Sequence, residues 1–188
     1  MIDSELLDHE RKQFFIQTYG SVYLPLIGIV FWPSLGVAGY FLSPQDLCFA
    51  VFFIIVILLP IALIAGKWLS KKLSLKSPLA SLIFPALVPI LMSFGITIPL
   101  YFTNISLVPL AFVLGLSFHW PAFGWMYNQR GFIIHSLVRT VLALSIWYFY
   151  PTHLFTLLPI SVGFLYLVTA CWLLLELSEA KKASDSIS

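Results

Sequence analysis

Within the run from Leu116 to Thr140, LSFHWPAFGWMYNQRGFIIHSLVRT, four side chains could do chemistry: His119, Trp120, His135 and Arg139. Imidazoles hold or relay protons. A guanidinium grips carboxylate or phosphate through paired N–H groups, and an indole adds one donor. Tyr127 places a hydroxyl close by in sequence. If a turn falls at 127–130, His119 lies eight residues up one wall and Arg139 nine up the other. At 1.5 Å per residue, both sit roughly 12 Å from that turn. His135 is four residues from Arg139 and shares its helix face.

The rest of the chain explains why these residues stand out. Of 188 residues, 60% are hydrophobic and 10% charged, with a mean hydropathy of +0.98. Soluble domains carry roughly 25% charged residues, so the solvent this chain expects is a bilayer. A net charge of +2 is too small to argue for nucleic acid. Cys48 and Cys171 are too few and too far apart for a disulfide framework.

The expected fold is all-α, a polytopic bundle. Six stretches are apolar enough to cross a hydrocarbon core of roughly 30 Å: 19–42, 47–69, 79–102, 107–127, 131–150 and 154–177. The turns between them are short, so neighbours form antiparallel hairpins. Arg11, Lys12, Lys67, Lys71, Lys72, Lys76, Arg130, Lys181 and Lys182 all fall on the same side under this count. By the positive-inside rule that side is the cytoplasm, with both termini there. The four lysines from Lys67 to Lys76 would also attract anionic lipid. Residues 1–18 suggest an amphipathic cytoplasmic helix at the interface, capped by Asp3 or Ser4. Its acidic start argues against a cleaved signal peptide. Residues 178–188 read as a disordered tail.

Twelve prolines punctuate the chain. Pro33 and Pro121 are expected to kink spans one and four. Both belong to a shared pattern, Trp-Pro-x-x-Gly: Trp32, Pro33 and Gly36, then Trp120, Pro121 and Gly124. Spans one and four cross in opposite directions, as in a three-plus-three inverted repeat. Chance recurrence in a Trp-rich chain gives the same pattern.

Burying Arg139 at mid-membrane costs about 2.5–3.5 kcal/mol on the insertion scale. It must snorkel, meet water or be paired. The spans offer one carboxylate, Glu176, whose depth suits an ion pair with Arg130 better than with Arg139. Arg139 can instead bond carbonyls freed by Pro121, neighbouring hydroxyls, a lipid phosphate or an anionic ligand. Two histidines are too few for zinc, nothing beyond the pair points to haem, and no cofactor is expected. No metal motif, phosphate loop or nucleophile elbow occurs, so no catalytic residue is assigned.

The block FHWPAFGWMYNQRGFIIHSLVRTVLALSIWYFYP, with GLS before it and LPISVGFLYLVTA after it, resembles small bacterial six-span membrane proteins of unassigned function. The likeness covers most of the second half of the chain. It implies an uncharacterised protein of the bacterial inner membrane and carries no activity.

Two functions fit these residues. One is a carrier, channel or lipid-handling protein whose cytoplasm-facing site is lined by His119, Trp120, His135, Arg139 and Tyr127. The other is a structural or accessory protein in which the same side chains lock helices together. An intramembrane enzyme is a third class. A second copy of the chain is a conceivable partner.

Overall fold

The computed structural model describes residues 4–19, 22–72 and 77–185. Eight α-helices occur among them: α1 Ser4–Gln17, α2 Tyr23–Ala38, α3 Pro44–Lys72, α4 Ile83–Thr103, α5 Val108–Gly115, α6 Trp120–Tyr127, α7 Arg130–Phe149 and α8 Leu157–Asp185. Short 3-10 turns join several of them, and no strand occurs among the described residues.

Among the described residues, four stretches are long and apolar enough to cross a membrane: Pro78–Thr103, Ile105–Tyr127, Arg130–Phe149 and Leu157–Lys182. No more than 44% of the apolar window in any of them is buried. The remainder turns large apolar side chains outward, Met92, Leu137 and Phe164 among them. Water would penalise such a surface, whereas lipid tails would not.

Four of the six expected spans are thus of that length and composition among the described residues. The first span shortens to the 16 residues of α2, about 24 Å of helix. After Ala38 the bonds tighten, Tyr40 N–H to Val37 O at 3.1 Å and Phe41 N–H to Ala38 O at 3.0 Å. The chain then reverses into α3, where Ser43 Oγ accepts from Asp46 N–H at 3.2 Å and donates to its carboxylate at 2.6 Å. Ser43 is thus the N-cap of α3. Helix α3 runs 29 residues, Pro44–Lys72, and begins with the apolar stretch Pro44–Ile57.

The most extensive packing is between α2 and α8, and small residues allow it. A Cβ on Gly28 would overlap the Tyr166 ring, one on Gly36 would strike Ile160, and one on Gly39 the Phe155 carbonyl. Gly163 of α8 receives Pro33 in the same way. The pairs 28–166, 33–163, 36–160 and 39–155 run in opposite order, so the helices are antiparallel. Close backbone approach over small residues is how apolar helices associate without a hydrophobic driving force.

One end of the bundle gathers charged segments. Asn128 Nδ2 donates to Asp8 Oδ1 at 3.5 Å, and Ser77 Oγ to Glu10 Oε2 at 3.5 Å. Arg11 lies 4.2 Å from the Trp125 ring, and Lys181 Nζ 4.8 Å from that of Tyr19. Helix α1 docks on this end rather than lying free: Phe14 and Phe15 are fully buried against Tyr127. Where disorder was expected after residue 177, α8 continues to Asp185. Residues 1–3, Lys76 and 186–188 lie outside the described residues, and with them part of the expected lysine cluster.

Candidate buried cation site

Span four is broken rather than kinked. Helix α5 ends at Gly115 and α6 starts at Trp120, with four turn residues between. Pro121 has no N–H, and its ring crowds the carbonyl four residues back, that of Ser117. The chain answers with three-residue bonds, such as Ser117 N–H to Leu114 O at 2.9 Å and Trp120 N–H to Ser117 O at 3.3 Å. Two carbonyls thereby become available to side chains of α7. Ser117 O accepts from Ser136 Oγ at 3.0 Å, and Leu116 O from Arg139 Nη1 at 3.4 Å.

Helix α6 ends at Asn128, whose φ of 51° and ψ of 42° are left-handed. Asn tolerates this conformation better than most residues. Gln129 N–H returns to Gly124 O at 3.0 Å, closing a Schellman-type turn. That reversal sends α7 back along α5 and α6 and brings Arg139 to the break.

Arg139 has no exposed surface. Its Nη1 donates to the Tyr166 hydroxyl at 2.9 Å. Its Cζ lies 4.9 Å from the Trp32 ring and 5.5 Å from the Tyr166 ring, within cation–π range. Nε and Nη2 are buried without a hydrogen-bond partner. Helices α2, α7 and α8 and the break between α5 and α6 all contribute to this one group.

His135, also buried, bonds Thr169 Oγ1 through Nδ1 at 2.6 Å. The Thr169 hydroxyl donates to Leu165 O at 2.9 Å. Its single proton is then spent, so Nδ1 of His135 carries the hydrogen and donates to Thr169. Nε2 is left as a bare, buried acceptor. The Trp120 indole touches both imidazoles, with centroids 4.7 Å from His119 and 4.8 Å from His135. The Arg139 charge acts on both rings. His119 Nδ1 and Trp120 Nε1 are likewise buried and unpartnered.

His119, Trp120, His135 and Arg139 are thus brought into one contiguous cluster. Tyr127 belongs to an aromatic stack between that cluster and α1, on Phe14 at 5.4 Å and Phe132 at 5.5 Å. Phe132 stacks on Trp120 at 5.6 Å. The charged end of the bundle is therefore sealed from Arg139 by rings. Arg130 and Glu176 do not pair. Arg130 is exposed, and Glu176 Oε1 accepts from Trp172 Nε1 at 2.8 Å, one turn away on α8.

Sequence reasoning passed over Tyr166 and Thr169. Their signal was available: two hydroxyls three apart on one face of an otherwise apolar helix. Trp32 entered only through the repeated Trp-Pro pattern, yet both tryptophans of that pattern flank the cluster. Trp32 is also a wall of an apolar pocket of about 40 Å³ among α2, α3, α5 and the start of α8, with Cys48, Val51, Phe112 and Val113.

Fold and site together define an all-α protein with helices of membrane-spanning length and an enclosed arginine at their centre. The chain belongs to a family of unknown function, DUF7010, whose model matches residues 7–176. No curated protein and no solved structure matches it.

Proposed function

We propose that this is a six-span integral membrane protein, of the bacterial inner membrane, that holds a small anionic or zwitterionic solute, or a lipid head group, at Arg139, as a carrier- or channel-like protein does. The observation that carries the reading is the state of that guanidinium. It is wholly enclosed, yet Nε and Nη2 have no partner. An uncompensated buried charge costs several kcal/mol, and each orphaned donor adds about 1–3 kcal/mol. A purely structural arginine would have been saturated by its neighbours. The guanidinium has no exposed surface, so an occupant would be enclosed with it.

The six-span count draws support from where the chain ends meet. Tyr19 lies beside Lys181, Gly39 beside Phe155, and Ser77 beside Glu10. Helix α2 thus leaves the charged end and α3 returns to it, adding two passes to the four of membrane length. In this reading the charged end is cytoplasmic, and Lys67, Lys71, Lys72 and Lys76 meet anionic lipid. Impermeant maleimide labelling of single cysteines tests it, in a background lacking Cys48 and Cys171. Gln45→Cys and Asn104→Cys should react in intact cells, and Asp8→Cys only after permeabilisation. Reaction of Gln45→Cys from the cytoplasmic side alone would remove the two extra passes.

For the site, binding of phospholipids and small anions to purified wild type and to Arg139→Ala is compared. Equal binding discards the reading. One observation favours a structural role: Arg139–Tyr166, His135–Thr169 and Ser136–Ser117 tie α7 to α8 and to the break in span four. On that reading Arg139→Ala loses stability, and no anion changes the stability of wild type.

A further inference from the structure

The nitrogens of Arg139 are not used evenly. Nη1 is bonded to Tyr166 and Leu116. Nε and Nη2 are the pair left over. Their free N–H bonds run side by side along one edge of the guanidinium plane. That edge is the fork which meets two oxygens of a single carboxylate or phosphate.

We infer that the occupant is an oxyanion gripped bidentately by the Nε/Nη2 edge of Arg139, and not a halide or a neutral solute. This rests on the reading above that Arg139 holds an anion, and it specifies which chemistry. A halide makes one point contact and leaves the second N–H orphaned. A neutral solute leaves the charge uncompensated. Trp32 and Tyr166 already lie against the guanidinium, so the edge is the part still to be completed. Trp120 Nε1 is a further unpartnered donor in the same cluster, which suits a phosphate having oxygens beyond the two on the fork. The oxyanion is either a free ion or the phosphate of a lipid.

The test uses the full chain in nanodiscs of phosphatidylcholine, titrated by calorimetry with inorganic phosphate, acetate and chloride. A second set of nanodiscs contains phosphatidylglycerol. The expected result is a preference of at least tenfold for phosphate or acetate over chloride, falling below threefold in Arg139→Lys, which keeps the charge and loses the fork. Should Arg139→Lys fail to fold, the wild-type ¹⁵N signal of Arg139 Nε–H decides. It should move on adding the oxyanion and stay still with chloride. If that signal moves only with phosphatidylglycerol present, the oxyanion is the phosphate of an anionic lipid and the fork stands. Chloride binding as tightly as the oxyanions, or an Arg139→Lys variant keeping the preference, overturns the fork and leaves anion binding intact. No binding by any anion in either membrane overturns both.

Discussion

The Arg139 guanidinium and the Tyr166 hydroxyl meet at 2.9 Å across the packed faces of α7 and α8. This contact is a charge-assisted tie between the two helices, because one partner is a guanidinium. A hydrogen bond to a charged group contributes about 1.5–3 kcal/mol. Tyr166→Phe keeps the ring and removes the acceptor. It should lower unfolding free energy in detergent by that amount, while a melting temperature equal to wild type would show the bond to be idle.

The His135–Thr169 contact allows a gentler probe. Thr169→Val keeps the shape and leaves Nδ1–H without its acceptor. Interhelical side-chain bonds in membrane proteins are worth about 0.6 kcal/mol on average and up to about 1.7. The loss should fall in that range. In ¹⁵N correlation spectra wild-type His135 should carry its proton on Nδ1, and finding it on Nε2 would reverse the donor assignment.

The α2–α8 contact depends on missing side chains. Gly28→Ala drives a methyl group into the Tyr166 ring, and overpacking of this kind costs about 1–3 kcal/mol. Gly95 has nothing within 4 Å of the position a Cβ would take. Gly95→Ala should therefore be neutral or stabilise the helix by up to about 1 kcal/mol. Similar effects for both substitutions would contradict the close approach.

Helix α1 is anchored by Phe14 and Phe15, both without exposed surface. Removing a buried Phe side chain costs about 3–5 kcal/mol. Phe14→Ala should speed hydrogen exchange in α1 and at Tyr127, and leave α8 from Tyr166 to Thr169 protected. Faster exchange throughout the chain would mean that α1 is integral to the bundle rather than docked upon it.

The cavity beside Trp32 makes a separate prediction. Its indole is both a wall of that apolar space and the ring over which Arg139 sits. Trp32→Ala should connect the cavity to the guanidinium and destabilise the fold by about 3–5 kcal/mol. Small-anion binding should then exchange faster in line-shape measurements, and unchanged exchange would show that Trp32 is not a barrier.

Much of this molecule was legible before any coordinates. An all-α architecture follows from composition and from apolar runs that do not alternate, because a chain this apolar must satisfy its backbone internally and unalternating runs do so as helices. The hairpin at Asn128 and the joining of His119 to Arg139 also follow from local information. Spacing along two helices joined by a short turn places both near one depth. Other features needed the tertiary structure. Breaking span four instead of bending it depends on side chains of α7 reaching the freed carbonyls of Leu116 and Ser117. The expected Arg130–Glu176 pair gave way to a tryptophan one turn from Glu176, because a neighbour on the same helix is held in place already. Tyr166 and Trp32 come to Arg139 only because small residues let α2 and α8 press together. Helix formation and turn chemistry are short-range and can be read from neighbouring residues. Which helix faces meet, and which buried donors go without a partner, depends on packing between segments more than 100 residues apart.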